Sequence, residues 1–398
     1  MNRFTYFTRF RSTHGAPDLQ AMGRSALFSF VVFLQAGCAT PAIVPLGVLQ
    51  LASEQGAQGR TFGGISGLDH HPTSKAWILI SDDRSTHGPA RFYEAVLNWR
   101  QDRLVNAQIR GQRPLQNEKA LLFPPESDRS NIDDEVADPE SIRFDPIDDS
   151  IIWSSEGDSS RGFSPTIRRM TMEGGALGVI PLPSALGFDA AEDRGAIPNK
   201  TVEGLAWTAG GQALWAAMEG PLKQDRLSSD NDQGALVRLT LLTRTGETIR
   251  QKAYEVDPVI ASRRNRAADS GVSEVLMLDD QRMLVLERAG LQTESGAFVF
   301  RTRLYCADLN TGDDIQGLER LAGRRSRPVA KRLIADLAEV GLAYNFEGMS
   351  WGPKLSDDRA SLVFVSDNNF EEQTPTVIAA FALSGPNGVA AWADKNCP

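Results

Sequence analysis

One two-stranded pattern occurs five times in this chain, and it leaves few folds open. Its clearest copy is Asn199–Pro221, NKTVEGLAWTAGGQALWAAMEGP. It reads as a glutamate, a short apolar strand, a Gly-rich hairpin, a second apolar strand with a tryptophan, and a second glutamate. Phe62–Asp83, Ala137–Asp158, Ser270–Gly290 and Asn345–Asn369 repeat it. A glutamate opens the first strand in four copies, at Glu140, Glu203, Glu274 and Glu347, and Ser66 stands there in the first. An acid closes the second strand in all five: Asp82, Glu156, Glu219, Glu287 and Asp367. Two short strands cannot bury their own apolar faces, whereas stacked neighbours can. The opening positions are 74, 63, 71 and 73 residues apart, which leaves room for two further strands per repeat. Four strands per repeat is a propeller blade. The expected fold is therefore all-β, a β-propeller of four-stranded blades with five legible repeats. A sixth, degenerate blade hidden in the longer intervals is the alternative.

The segments between the copies fit this reading. Ala90–Asn98, Thr166–Met172, Ala235–Leu241, Thr302–Leu309 and Thr376–Leu383 read as third strands. Thr40–Ala52 is apolar and β-rich and has no partner nearby in sequence, so it is expected to complete the last blade. Trp77, Trp153, Trp215 and Trp351 are expected as wedges between blades. Gln112–Asp138, Pro181–Pro198, Asp257–Ser270 and Thr311–Lys331 read as loops on the ring.

The N-terminus reads as an address. Ala26–Leu34 is a short apolar run after Arg24, too short to span a bilayer, and it leads into Leu34-Gln35-Ala36-Gly37-Cys38. That sequence resembles a bacterial lipobox, with Gln35 where the motif prefers leucine. Residues 1–38 are expected to be a leader with Cys38 as the lipidated residue, and 39–398 a single exported domain, periplasmic or on the outer membrane. The only membrane partner expected is the lipid anchor. Cys306 and Cys397 remain, either as one disulfide or as two separate buried thiols. The net charge of −9 argues against a nucleic-acid partner.

In a closed ring the repeated acids sit at equivalent points of the innermost strands and face one channel. Two unit charges about 4 Å apart at an effective dielectric near 20 repel by roughly 4 kcal/mol, so the ring needs cations, arginines or protons to offset it. Oxygen ligands in number suit Ca²⁺. The residues expected to hold metal are Asp83, Glu140, Glu156, Glu219, Glu274, Glu287, Asp367 and Asn368, with Glu203, Glu347 and Asp82 as the catalytic acids. Ring closure makes the first and last blades neighbours, and this brings Asp82, Asp83, Asp367 and Asn368 to one sector. Arg91, Arg168, Arg238 and Arg303, one on each of four third strands, are candidates to bind an anionic substrate. Salt bridges to acids of the repeat are their alternative role. Gly64-Ile65-Ser66-Gly67-Leu68 lacks the last glycine of a nucleophile elbow. His70 and His71 read as turn residues, and His87 is an outside candidate for acid–base work.

GGISGLDHHP, AWILISDD, DPESIRFDP, IIWSSEG, KTVEGLAW, LWAAMEGPL, NFEGMSWGP and LVFVSDNNF, in that order, resemble bacterial and cyanobacterial phytase-like proteins, described as having esterase-like activity. The resemblance covers roughly residues 60–385. It implies phosphoester or carboxylic-ester hydrolysis of a small molecule on a propeller scaffold, with Ca²⁺ as the implied cofactor. The matching glutamates Glu140, Glu203, Glu274 and Glu347, together with the closing acids, are the positions it carries over. The alternative function is a non-catalytic, envelope-anchored propeller that binds or scaffolds.

Overall fold

A computed structural model describes residues 41–52, 62–128, 130, 133–189, 193–226, 234–259, 268–323, 325–385 and 388–398. The leader with Cys38, and three arginines of the Asp257–Ser270 segment (Arg263, Arg264 and Arg266), lie outside these residues. The described residues open with β1 (Ile43–Leu51) and then run through five repeats. The first holds β2 (Ile65–His70), β3 (Trp77–Ser81), β4 (Arg91–Arg100) and β5 (Arg103–Pro114). The second holds β6 (Pro139–Phe144), β7 (Ile151–Ser155), β8 (Thr166–Met170) and β9 (Ala176–Ile180). The third holds β10 (Val202–Trp207), β11 (Ala213–Met218), β12 (Ala235–Thr243) and β13 (Thr248–Val256). The fourth holds β14 (Ala268–Met277), β15 (Arg282–Gln292), β16 (Phe298–Asp308) and β17 (Ala330–Asp336). The fifth holds β18 (Phe346–Trp351), β19 (Ser361–Ser366) and β20 (Thr376–Leu383), and α1 (Val389–Asn396) ends the chain.

These strands form five four-stranded antiparallel sheets, the five blades of a β-propeller. Five is the blade number, and no sixth blade is present among the described residues. β1 pairs with β20, from Ile43 opposite Leu383 to Leu51 opposite Thr376, and so supplies the outer strand of the last blade. The inner strands β2, β6, β10, β14 and β18 follow one another around the ring, and β18 returns to lie beside β2.

Among the described residues the core is not one mass: five wedges lie between adjacent blades, and Ala253, Ile315 and Leu321 form a small separate cluster. Successive strand residues point to opposite faces, so each inner-half strand feeds two wedges. Trp77 and Leu79 pack between the last and first blades. Ile78 and Ile80, from the same strand, pack between the first and second. Trp153 and Trp215 fill the wedges after the first and third blades, and Trp351 packs against the one between the fourth and fifth, as the sequence predicts. A disulfide joins Cys306 on β16 to Cys397 just after α1, with Cα atoms 5.3 Å apart. No helix among the described residues is long and apolar enough to cross a membrane.

Candidate functional site

Every inner strand bends at one place. The register between the first and second strand of each blade shifts by a residue, at Ser66, near Glu140, at Glu203, at Ser273 and at Glu347. A bulge of this kind re-aims the side chain of the extra residue. The next position is glycine in three blades (Gly67, Gly204 and Gly348), because the neighbouring inner strand is close. A Cβ added to Gly204 would lie 2.9 Å from the Val275 nitrogen.

This register corrects the fourth copy of the repeat. Glu274 pairs with Leu286, as Gly67 pairs with Ile80 and Gly204 with Ala217. It therefore stands at the glycine position, and Ser273 stands at the bulge. Glu287 likewise faces Val272 and matches Ser81 and Ser366, so the closing position of this blade belongs to Arg288. Glu274 and Glu287 do not join the acids of the mouth. Glu274 binds Arg143 at 2.6 Å and accepts from the Leu205 nitrogen. Glu287 binds Lys331 at 2.5 Å and the Tyr254 hydroxyl at 2.6 Å.

Six of the remaining acids converge into two groups. Asp82, Glu347 and Asp367 form one across the closure of the ring, and Glu140, Glu156 and Glu203 form the other between the second and third blades. Each residue places one oxygen within 4.8 Å of the others in its group. At that separation two full charges repel by about 3.5 kcal/mol at an effective dielectric near 20. Protonation relieves the crowding. Burial, and then the Asp367 and Glu347 charges, hold Asp82 well above its ordinary pKa. Burial, and then mutual repulsion with their acidic neighbours, do the same for Glu140 and Glu203. Burial first, with neighbouring acids, pushes Glu156 and Glu347 up to about 8. Asp367 and the nearby Asp138 rise to about 6, chiefly through burial.

Hydrogen bonds seat these carboxylates. Glu156 Oε1 accepts from the Thr201 nitrogen at 2.6 Å, and Asp367 Oδ1 from the Asn369 nitrogen at 2.8 Å. Asn345 Nδ2 donates to Glu347 Oε1 at 2.9 Å, while its Oδ1 is buried without a hydrogen-bond partner. Arg288 faces the mouth, 2.8 Å from Glu219 and 3.5 Å from Glu347. Burial opposes its charge, but Glu347, Glu219 and Glu203 outweigh that and raise its pKa. Lys200 lies 3.1 Å from the same Glu219 oxygen. Glu219 is thus held between two cations rather than placed in either group. Sequence reasoning missed Arg288 because an acid one residue earlier matched the pattern.

The other predicted residues belong to neither carboxylate group. Asp83 accepts from Arg91 at 2.5 Å and from the Thr86 nitrogen at 2.7 Å. Asn368 Oδ1 accepts from the Gly64 nitrogen at 2.9 Å, and its amide donates to Thr374. The four third-strand arginines are engaged in ion pairs. Arg91 holds Asp83, Arg168 holds Glu118 and Glu135, Arg238 holds Asp225, and Arg303 holds Asp336. Their partners come mostly from loops. His70 stacks on Trp77 and His71 meets Asp149, both on the first hairpin. His87 stacks on Phe370 with ring centroids 4.1 Å apart, and its Nδ1 lies 3.6 Å from Asp83. Ser66 is buried, and its hydroxyl has no hydrogen-bond partner.

Below the acids the channel is closed by Arg143. Its guanidinium donates to the carbonyls of Leu68 at 2.7 Å, Leu205 at 2.8 Å, Ile142 at 3.0 Å, Met349 at 3.1 Å and Val275 at 3.2 Å. Those are one carbonyl from each of the five inner strands.

Fold and mouth together define a class: a five-bladed propeller whose inner strands bulge to gather buried carboxylates at one end of a closed channel. The family model for phytase-like proteins, described as "Esterase-like activity of phytase", matches residues 60–370. The chain belongs to that family, as its ordered motifs imply, and by that description the family is of hydrolase type. Among solved structures the chain is similar to a puromycin-hydrolysing peptidase of Mycobacterium tuberculosis, at 12% identity and a TM-score of 0.30. The match covers 81% of this chain and spans only 45% of the peptidase. No curated protein matches the chain.

Proposed function

We propose that this protein is an exported hydrolase of small phosphoesters or carboxylic esters whose acidic mouth works with a bound divalent cation. The observation that carries the reading is the pair of buried carboxylate groups. Three acids within 4.8 Å of one another are costly when ionised and unaccompanied. The donor set fits a hard cation. Asp82, Glu347 and Asp367 offer carboxylate oxygens. Glu140, Glu156 and Glu203 offer a second set. Oxygen donors in flexible number favour Ca²⁺, with water completing its usual six to eight ligands. When bound, such a cation polarises a phosphoryl or carbonyl oxygen and lowers the pKa of water.

The chain's own residues do the rest. Arg288 and Lys200, which both hold Glu219, orient an anionic substrate group in the role that sequence reasoning gave to Arg91, Arg168, Arg238 and Arg303. Burial and neighbouring acids keep Glu156 and Glu347 protonated near neutrality in the cation-free mouth, so cation binding there releases protons. Arg143 blocks the axis beneath them, so substrate enters and leaves by one face. Export is supported by the Cys306–Cys397 disulfide, since such bonds persist in oxidising compartments. It is supported also by the lipobox-like sequence ending in Cys38.

The test is hydrolysis of an aryl phosphate and aryl ester panel in Ca²⁺, in Mg²⁺ and in chelator. The expected result is turnover that needs the cation and falls about 100-fold or more in Glu203→Gln and Glu347→Gln. No turnover with any cation would overturn the enzymatic reading. Ligand capture that survives both substitutions would then favour the non-catalytic scaffold.

A further inference from the structure

The geometry points to Arg143 as the positioning residue that sets the spacing of the mouth carboxylates, an inference that rests on the cation-binding reading above. The five carbonyls it holds are not scattered. Leu68, Ile142, Leu205, Val275 and Met349 each lie two residues beyond a bulge position, which is Ser66, Glu140, Glu203, Ser273 or Glu347. One planar cation therefore ties all five inner strands at the same depth, one turn of the pleat below the acids. The guanidinium has five N–H donors. All five go to the carbonyls, and Glu274 Oε2 lies 2.6 Å from Nη2 as the charge partner.

Glu274 extends the tie upward. It accepts from the Leu205 nitrogen at 3.1 Å and from the Ser141 hydroxyl at 3.1 Å. Ser141 follows the bulge residue Glu140, and Leu205 lies two beyond Glu203. The second carboxylate group is thus braced from below at two of its three members. Burial lifts the pKa of Glu274 to about 7 even with Arg143 beside it, so the brace depends on the arginine's charge.

Lysine keeps the charge but offers three donors from one point and no planar fork. It satisfies Glu274 and a minority of the carbonyls, and the inner strands relax outward. Arg143→Lys is therefore expected to weaken Ca²⁺ binding, measured by calorimetry on the folded protein, by about 10- to 100-fold, the loss usual when a metal site's supporting shell is disturbed. Leu239→Ala, a cavity in the wedge between the third and fourth blades, serves as a control. It is expected to lower thermal stability while leaving Ca²⁺ affinity unchanged. A crystal structure of Arg143→Lys is expected to show oxygens of each carboxylate group no longer all within 4.8 Å of one another.

Unchanged Ca²⁺ affinity together with unchanged carboxylate spacing would overturn the assignment. If the wild-type protein takes no Ca²⁺, the cation reading fails, and the spacing in the variant crystal still decides the role of Arg143. If the lysine variant does not fold, Arg143→Gln/Glu274→Gln removes both charges without stranding either, and is judged by the same spacing.

Discussion

Arg238 shows how residue-level chemistry separates support from function. Its guanidinium and the Asp225 carboxylate are both buried, 2.8 Å apart, and Arg238 also reaches the Leu318 carbonyl. Removing one member of such a pair leaves an uncompensated buried charge. Arg238→Met is expected to cost about 3–5 kcal/mol of stability, read by denaturant unfolding, with no change in KM for any substrate the enzyme turns over. The mouth carboxylates behave in the opposite sense. Their folded pKa values are raised, so the folded chain binds more protons than the unfolded one between the two values. The stability this gives is complete below the ordinary carboxyl value of 4.5 and is lost as pH rises through about 8, where Glu156 and Glu347 ionise. Cation-free protein is therefore expected to melt at a higher temperature at pH 5 than at pH 8.5, and added Ca²⁺ to restore the loss at the higher pH. A melting temperature that rises with pH in chelator would contradict the crowding on which the site depends.

At the level of elements, the bulge is the device that makes a site out of a scaffold. It was half legible in the sequence. The opening acids Glu140, Glu203 and Glu347 could be read as equivalent, and so could the closing acids Asp82 and Asp367, because each set occupies one place relative to an apolar run. Glu274 and Glu287 misled because matching acid to acid slipped the fourth repeat by one residue, and a one-residue slip turns every side chain to the other face. The glycine after the bulge was the better marker, but the second and fourth blades carry Ser141 and Glu274 there. The axial closure by Arg143 left no periodic trace, since only one blade supplies it. The disulfide between β16 and the segment after α1 was open from sequence and is settled by the closeness of the two backbones. Its loop is long, and Cys306→Ser/Cys397→Ser is expected to lose about 2–4 kcal/mol. Reductant should reproduce that loss in the wild-type protein.

For the whole molecule, propeller architecture was legible because the two-stranded pattern recurs five times with room for two more strands in each interval. The five wedges follow from two-sided burial of every inner-half strand. What the chain does with its mouth was less legible, since charge partners such as Lys200 and Arg288 come from different blades and meet only in the closed ring. Closure itself depends on the first strand. Without Ile43–Leu51 the last blade loses the outer partner of β20, and a chain starting at residue 62 is expected to give no cooperative melting transition by calorimetry. The two ends also meet directly: the Trp392 indole donates to the Ala42 carbonyl, 350 positions away in sequence, at 2.8 Å. A ribosome making this protein therefore finishes the seal last, with a strand synthesised first. Until then that strand waits as an unmated edge, and pairings at such separation form slowly. Timing is thus built into the topology, because no opening sector can mature alone while its final neighbour is still being translated.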